Sequence, residues 1–105
     1  MSTFIMITRL SHDALSTPSE LKSTVKDVMQ RIQDHCQGVK WTASYAVLGP
    51  ADLVDIFEAP SVDEAAKVAA IVRTFGHATT EIWPATSWDS FLKTLGSLPP
   101  GRIEV

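Results

Sequence analysis

Residues 48–66, LGPADLVDIFEAPSVDEAA, decide the fold, because they contain a turn, a strand and the start of a helix. The Gly-Pro pair at 49–50 predicts the turn, since glycine tolerates positive φ and proline lacks the amide hydrogen that a continuing strand donates. The apolar run over 53–57 predicts a strand covered on both faces. Asp55 lies within this run and, by the two-residue period of a strand, shares a face with Phe57.

A carboxylate inside such a strand needs a hydrogen-bond partner, a basic partner or water, because burying it alone costs several kcal/mol. Two interpretations of Asp55 therefore stay open. Either it is a structural residue on a partly wet or ion-paired face, or it belongs to a binding pocket.

Composition limits the class of protein. The 105 residues predict one domain over 1–97 with an extended tail over 98–105, and the 45% hydrophobic fraction supports a real core. A net charge of -3 without a basic stripe argues against nucleic-acid binding. The single Cys36, the short apolar N-terminus and the lack of a run of about 20 apolar residues predict a cytoplasmic protein outside the membrane.

A strand and a long helix are predicted first along the chain. Residues 3–9 have apolar side chains on both faces, which indicates a central strand, and residues 10–16 read as a polar connection. The motif TPSE at 17–20 combines an N-cap threonine, proline at the first helical position and glutamate at the third, which predicts a capping box. Gly38 is the predicted end of this helix.

The next two strands are predicted to form an antiparallel hairpin, because only the short turn after Leu48 separates them. The second strand is predicted over residues 39–48. Simple alternation places four of its side chains on one face: Trp41, Ala43, Tyr45 and Val47.

Two further helices flank a fourth strand. Ser61 and Glu64 form a second predicted capping box, and this helix is expected to end at Gly76. The fourth strand is predicted over residues 79–83, ended by Pro84, and the last short helix is capped by Ser87.

The resulting order, β-α-β-β-α-β with a C-terminal short helix, predicts an α+β, ferredoxin-like fold with both main helices on one side of the sheet. Both faces of the sheet would carry large apolar side chains. An uncovered apolar face usually marks an association surface, so a homodimer stacked through the sheet face is expected.

The chain resembles the GYD domain family of small bacterial proteins. The resemblance covers nearly the whole chain and is densest over residues 48–66. It is carried by the following motifs: Gly49-x-x-Asp52-Leu53-Val54, Phe57-Glu58-Ala59-Pro60, Asp63-Glu64-Ala65-Ala66, Thr80-Glu81 and Pro84-Ala85. Ala51 stands where the family's eponymous tyrosine does. The resemblance implies a dimeric α+β barrel and assigns no biochemical role.

Two hypotheses of function remain open. The first is a non-catalytic dimeric module that binds a partner protein or a small apolar or aromatic molecule through Trp41, Tyr45, Asp55 and Trp83. The second is a cofactor-free enzyme, an isomerase, cyclase or monooxygenase, that uses Asp55, His12 or His77 as the proton carrier. The sequence predicts no cofactor and no metal site, because it lacks a glycine-rich strand-to-helix turn and histidines at metal-binding spacing.

Overall fold

The computed structural model describes residues 1–101, which form a four-stranded antiparallel sheet with the two longest helices packed on one face. The strand order is β2-β3-β1-β4. This confirms the predicted α+β, ferredoxin-like fold. The elements are, in chain order, β1 (Ser2–Leu10), α1 (His12–Ser16), α2 (Pro18–His35), β2 (Lys40–Ala46), β3 (Leu53–Ala59), α3 (Val62–Thr74), β4 (Ala78–Ala85) and α4 (Trp88–Gly96).

The core lies between the sheet and helices α2 and α3. Phe4 of the central strand β1 is paired with Phe57 of β3, and both side chains are fully buried. Ile32 and Cys36 from the end of α2 and Val68 from α3 cover them. Each fully buried large apolar side chain contributes on the order of 2 kcal/mol, so this cluster is the main stabilising contact between sheet and helices.

The predicted alternation along β2 is wrong, because a bulge interrupts the pairing between Trp41 and Ala43. Trp41 is opposite Phe57, whereas Tyr45 is opposite Val54. Since Phe57 and Val54 point to opposite faces of β3, the two aromatic residues of β2 do so as well. A bulge inserts one extra residue and so reverses the two-residue alternation beyond it.

The predicted end of the fourth strand at Pro84 is also wrong. β4 continues to Ala85, and Pro84 is paired with Phe4 inside the strand. β4 is an edge strand that pairs with β1 alone, so a residue without an amide hydrogen is tolerated there. The predicted polar connection over 10–16 contains the short helix α1, whose N-cap Ser11 accepts a hydrogen bond from the backbone of Ala14.

The helix ends agree with the sequence in part. Ser61 and Ser87 accept the expected capping hydrogen bonds, and Gly76 follows α3 with a φ of 73°. Thr17 precedes α2 as predicted but makes no side-chain capping bond, and that helix ends with Cys36 as its C-cap, before it reaches the predicted Gly38. Of the predicted tail, residues 98–101 form no helix or strand, and residues 102–105 lie outside the described part of the chain.

Candidate functional site

The predicted ligand-binding residues lie on two opposite faces of the sheet. Trp41 and Asp55 point to the face that the helices cover, together with Phe57. Tyr45 and Trp83 point to the other face. The structure therefore does not bring these four residues together into one pocket, and the bulge in β2 is the reason that simple alternation failed.

On the helix-covered face, Asp55 ends a chain of hydrogen bonds that starts at Trp41. The indole Nε1 of Trp41 donates to Ser44 Oγ at 2.8 Å, and the Ser44 hydroxyl donates to Asp55 Oδ1 at 2.6 Å. Ser44 is the cross-strand neighbour of Asp55 in the sheet. Sequence reasoning missed Ser44, because only the bulge moves its side chain onto the face of Asp55.

The pKa of the Asp55 carboxyl is raised above its ordinary value. Burial is the main cause, and the hydrogen bond from Ser44 opposes it by favouring the charged form, as does the nearby indole N–H of Trp41, which itself donates to Ser44. Within residues 1–101 no basic side chain forms an ion pair with Asp55. A carboxyl held by neutral donors in this way can bind a proton or accept a hydrogen bond from a ligand.

Two buried threonines lie on the same face. Thr8 and Thr80 are cross-strand neighbours that are only 2% and 3% exposed, and neither hydroxyl has a hydrogen-bond partner within the described residues. A buried hydroxyl without a partner costs about 1–3 kcal/mol. Thr8 falls on the same face as Phe4 and Met6 by alternation alone, but the sequence does not reveal that Thr80 is its neighbour.

Asp52, the aspartate of the family motif, has a structural role. Its Oδ2 accepts a hydrogen bond from the backbone of Leu10 at 2.7 Å, and its own amide donates to Thr8 O at 2.9 Å. Arg9 Nε donates to Pro50 O at 2.9 Å. These bonds hold the turn after β2 against the end of β1.

The predicted proton carriers His12 and His77 do not accompany Asp55. Asp55 is paired with Met6, whereas Ala78, next to His77, is paired with Leu10, about 13 Å further along β1. His12 is exposed on α1. His77 belongs to a cavity of about 50 Å³ whose lining residues do not include Asp55: Asp13, Ala14, Thr17, Glu20, Leu21, Thr24 and His77.

Cys36 is a buried free cysteine. Burial raises the pKa of the Cys36 thiol, more than the nearby Lys67 lowers it, so the sulfur stays protonated at neutral pH. Across residues 1–101 no three histidine, cysteine or acidic side chains gather as metal ligands. In the same range no helix is both long and apolar enough to cross a membrane.

The face of the sheet away from the helices carries six large apolar or aromatic side chains and is called here the open sheet face. Tyr45 and Trp83, on the two edge strands, are 59% and 52% exposed. The other members come from the two central strands, and none of the six is fully buried. The complete set is Ile5, Ile7, Tyr45, Val54, Ile56 and Trp83.

Comparison with known proteins gives two similarities. The family model described as the GYD domain matches residues 4–95. A protein of Thermus thermophilus named "Glutamine synthetase and cystathionine beta-lyase binding protein" is 39% identical over 69 residues. That alignment covers 66% of this chain and 68% of the relative.

Proposed function

Because this chain belongs to the GYD domain family, matched over residues 4–95, we propose that it is a non-catalytic protein-binding module that works as a pair of identical chains. The observation that carries the pairing is the open sheet face. The isoleucine and valine side chains of this face are partly buried in the single chain, and covering the apolar surface they still expose is favourable by roughly 25 cal/mol per Å².

A second copy is a suitable cover for this face. Two sheets stack about 10 Å apart with interdigitating side chains, and a twofold axis would let one surface cover its own equivalent.

The Arg9–Glu81 ion pair, 3.8 Å between Nη1 and Oε2, lies on exposed side chains and contributes little to stability.

Binding of other proteins is supported by the relative from Thermus thermophilus, whose name describes it as binding two enzymes. A partner protein is favoured over a small apolar or aromatic ligand, because Trp41 and Asp55 lie on one face of the sheet and Tyr45 and Trp83 on the other. A pocket that used all four would have to pass through the sheet.

Light scattering after size-exclusion chromatography tests the pairing. The wild-type chain should have twice the 11.5 kDa protomer mass, and Ile56→Glu, which places a charge in the open sheet face, should have the protomer mass. Ala70→Glu is the matched control, since Ala70 is exposed on α3 away from that face. A folded wild-type chain that stays at 11.5 kDa at all concentrations would contradict the pairing.

Biolayer interferometry tests the protein binding with purified Thermus thermophilus glutamine synthetase and cystathionine beta-lyase as probes. We expect this chain to bind at least one of them. If neither binds at high micromolar concentration, the role named for the relative does not extend to this chain.

A cofactor-free enzyme is the second candidate, favoured by the hydrogen-bonded and partly buried carboxyl of Asp55. In this function Asp55 carries a proton to or from a compact apolar substrate, and Ser44 positions the Asp55 carboxyl. A thermal-shift screen of compact apolar compounds on wild type and Asp55→Asn separates the two candidates. Compounds that stabilise the wild type alone support the enzyme, and their absence supports the module.

A further inference from the structure

Helix α4 stands away from the rest of the chain. None of its nine residues is buried, and its large apolar side chains are between 42% and 68% exposed. The described chain is 58 Å long with a radius of gyration of 17.2 Å, whereas a compact domain of this length has a radius of about 13 Å. α4 therefore projects from the body instead of packing on it.

The large apolar side chains of α4 form one stripe. Trp88, Phe91, Leu92 and Leu95 follow the helical spacing of three and four residues, and the rings of Trp88 and Phe91 lie 5.8 Å apart. An isolated helix shorter than about 12–15 residues is marginal in water, so α4 needs a contact along this stripe to be stable.

We infer that α4 packs against a second copy of this chain, so that its apolar stripe and the open sheet face are buried in one symmetric interface. This inference rests on the proposed pairing. The inference adds that each protomer places its α4 against the partner, and that the interface of the pair is incomplete without this helix.

The position of α4 favours the second copy over another protein. Only Thr86 and Ser87 separate α4 from the edge strand β4, which carries Trp83 on the open sheet face. This short connection keeps the start of α4 close to the edge of the sheet that carries Trp83. In addition, the GYD match over residues 4–95 includes almost all of α4, so the helix belongs to the domain itself.

The size of the sheet gives a second argument. Four strands of about seven residues present a face of roughly 19 by 23 Å, or about 440 Å². A standard interface buries about 800 Å² on each partner. Two stacked sheets alone therefore bury an area at the low end of the range for protein interfaces. A helix about 13 Å long at the margin of the sheet enlarges the buried area.

Analytical ultracentrifugation of α4 variants tests this. Leu92→Glu, in the stripe, should weaken the pairing at least about tenfold, a factor that corresponds to about 1.4 kcal/mol. Ser90→Glu is the matched control, because it adds the same charge on the opposite side of α4 and should leave the affinity unchanged. Neither residue is buried in the protomer, so neither change should unfold the body.

Fluorine NMR locates the helix directly. With 5-fluorotryptophan, and with Trp88 assigned by Trp88→Phe, the Trp88 signal should be solvent-accessible in dilute protomers and protected in the pair. Protection already in the protomer would place α4 on its own chain and overturn the inference. Protection that develops only after one of the two enzymes is added would assign α4 to that enzyme and overturn it too.

The failures of the two proposals are distinguishable. If Leu92→Glu pairs as tightly as the wild type while Ile56→Glu does not pair, the inference about α4 is wrong and the proposed pairing stands. If the wild-type chain does not pair at all, both are wrong.

Discussion

Ser44→Ala is the most informative single change, because one hydroxyl links Trp41 to Asp55. The substitution removes the acceptor of the 2.8 Å bond from Trp41 Nε1 and the donor of the 2.6 Å bond to Asp55 Oδ1. A hydrogen bond to a charged group contributes about 1.5–3 kcal/mol. Since Ser44 is exposed and water can partly replace it, we expect a loss of about 1 kcal/mol at pH 7.

The loss should depend on pH. The bond from Ser44 favours the ionised carboxylate, so removing it raises the pKa of Asp55 further above its ordinary value of 3.8. Because its pKa is raised, the Asp55 carboxyl of the folded chain takes up a proton at a higher pH than an ordinary aspartate does, and the bond from Ser44 to the charged form contributes less as the pH falls. Ser44→Ala should therefore destabilise the chain more at pH 7 than at pH 4.

Urea unfolding at both pH values, at one fixed protein concentration, measures the difference. Carboxyl carbon NMR of Asp55 measures its titration directly. Thr42→Ala is the control, because it removes an exposed hydroxyl from the same strand and should change stability equally at both pH values. An equal loss at pH 4 and pH 7, or an Asp55 titration unchanged by Ser44→Ala, would refute the reasoning.

Three other changes test separate parts of the structure. Phe57→Ala should lower the free energy of unfolding by about 3–5 kcal/mol, because the ring is fully buried. A loss below about 1 kcal/mol in urea unfolding would contradict the assignment of Phe57 to the core. Because the pKa of Asp55 is raised in the folded chain, the free energy of unfolding should fall as the pH rises from near 3.8 through the raised pKa, and Asp55→Asn should flatten this pH dependence. Urea unfolding at several pH values measures it, and a variant with the same pH dependence as the wild type would count against the prediction. Gly76→Ala should lower the free energy of unfolding by about 1–2 kcal/mol in thermal unfolding, because the φ of Gly76 is 73°. Gly96→Ala is the control, since Gly96 lies in α4 at a negative φ and its substitution should cost nothing; equal effects of the two would show that the left-handed backbone is not the cause.

The sequence alone determined the order of the four strands and of helices α2, α3 and α4, but not the short helix α1, and it determined the side-chain pattern of three strands. Ser61 and Ser87 predicted helix starts correctly, because a capping hydrogen bond involves neighbours only three residues apart. Period-two alternation placed Asp55 on the face of Phe57, and it predicted that a single chain would leave one apolar sheet face uncovered. These features depend on local backbone geometry, which adjacent residues specify.

Only the tertiary structure decided what surrounds the candidate site. The bulge after Trp41 places the side chains of Trp41 and Tyr45 on opposite faces of the sheet and moves Ser44 next to Asp55. The position of the bulge depends on how β2 pairs with β3. Pro84 is tolerated within β4 because that strand lies at the edge of the sheet. Register and strand order arise from contacts between residues far apart in the chain, so periodicity within one segment cannot reveal them.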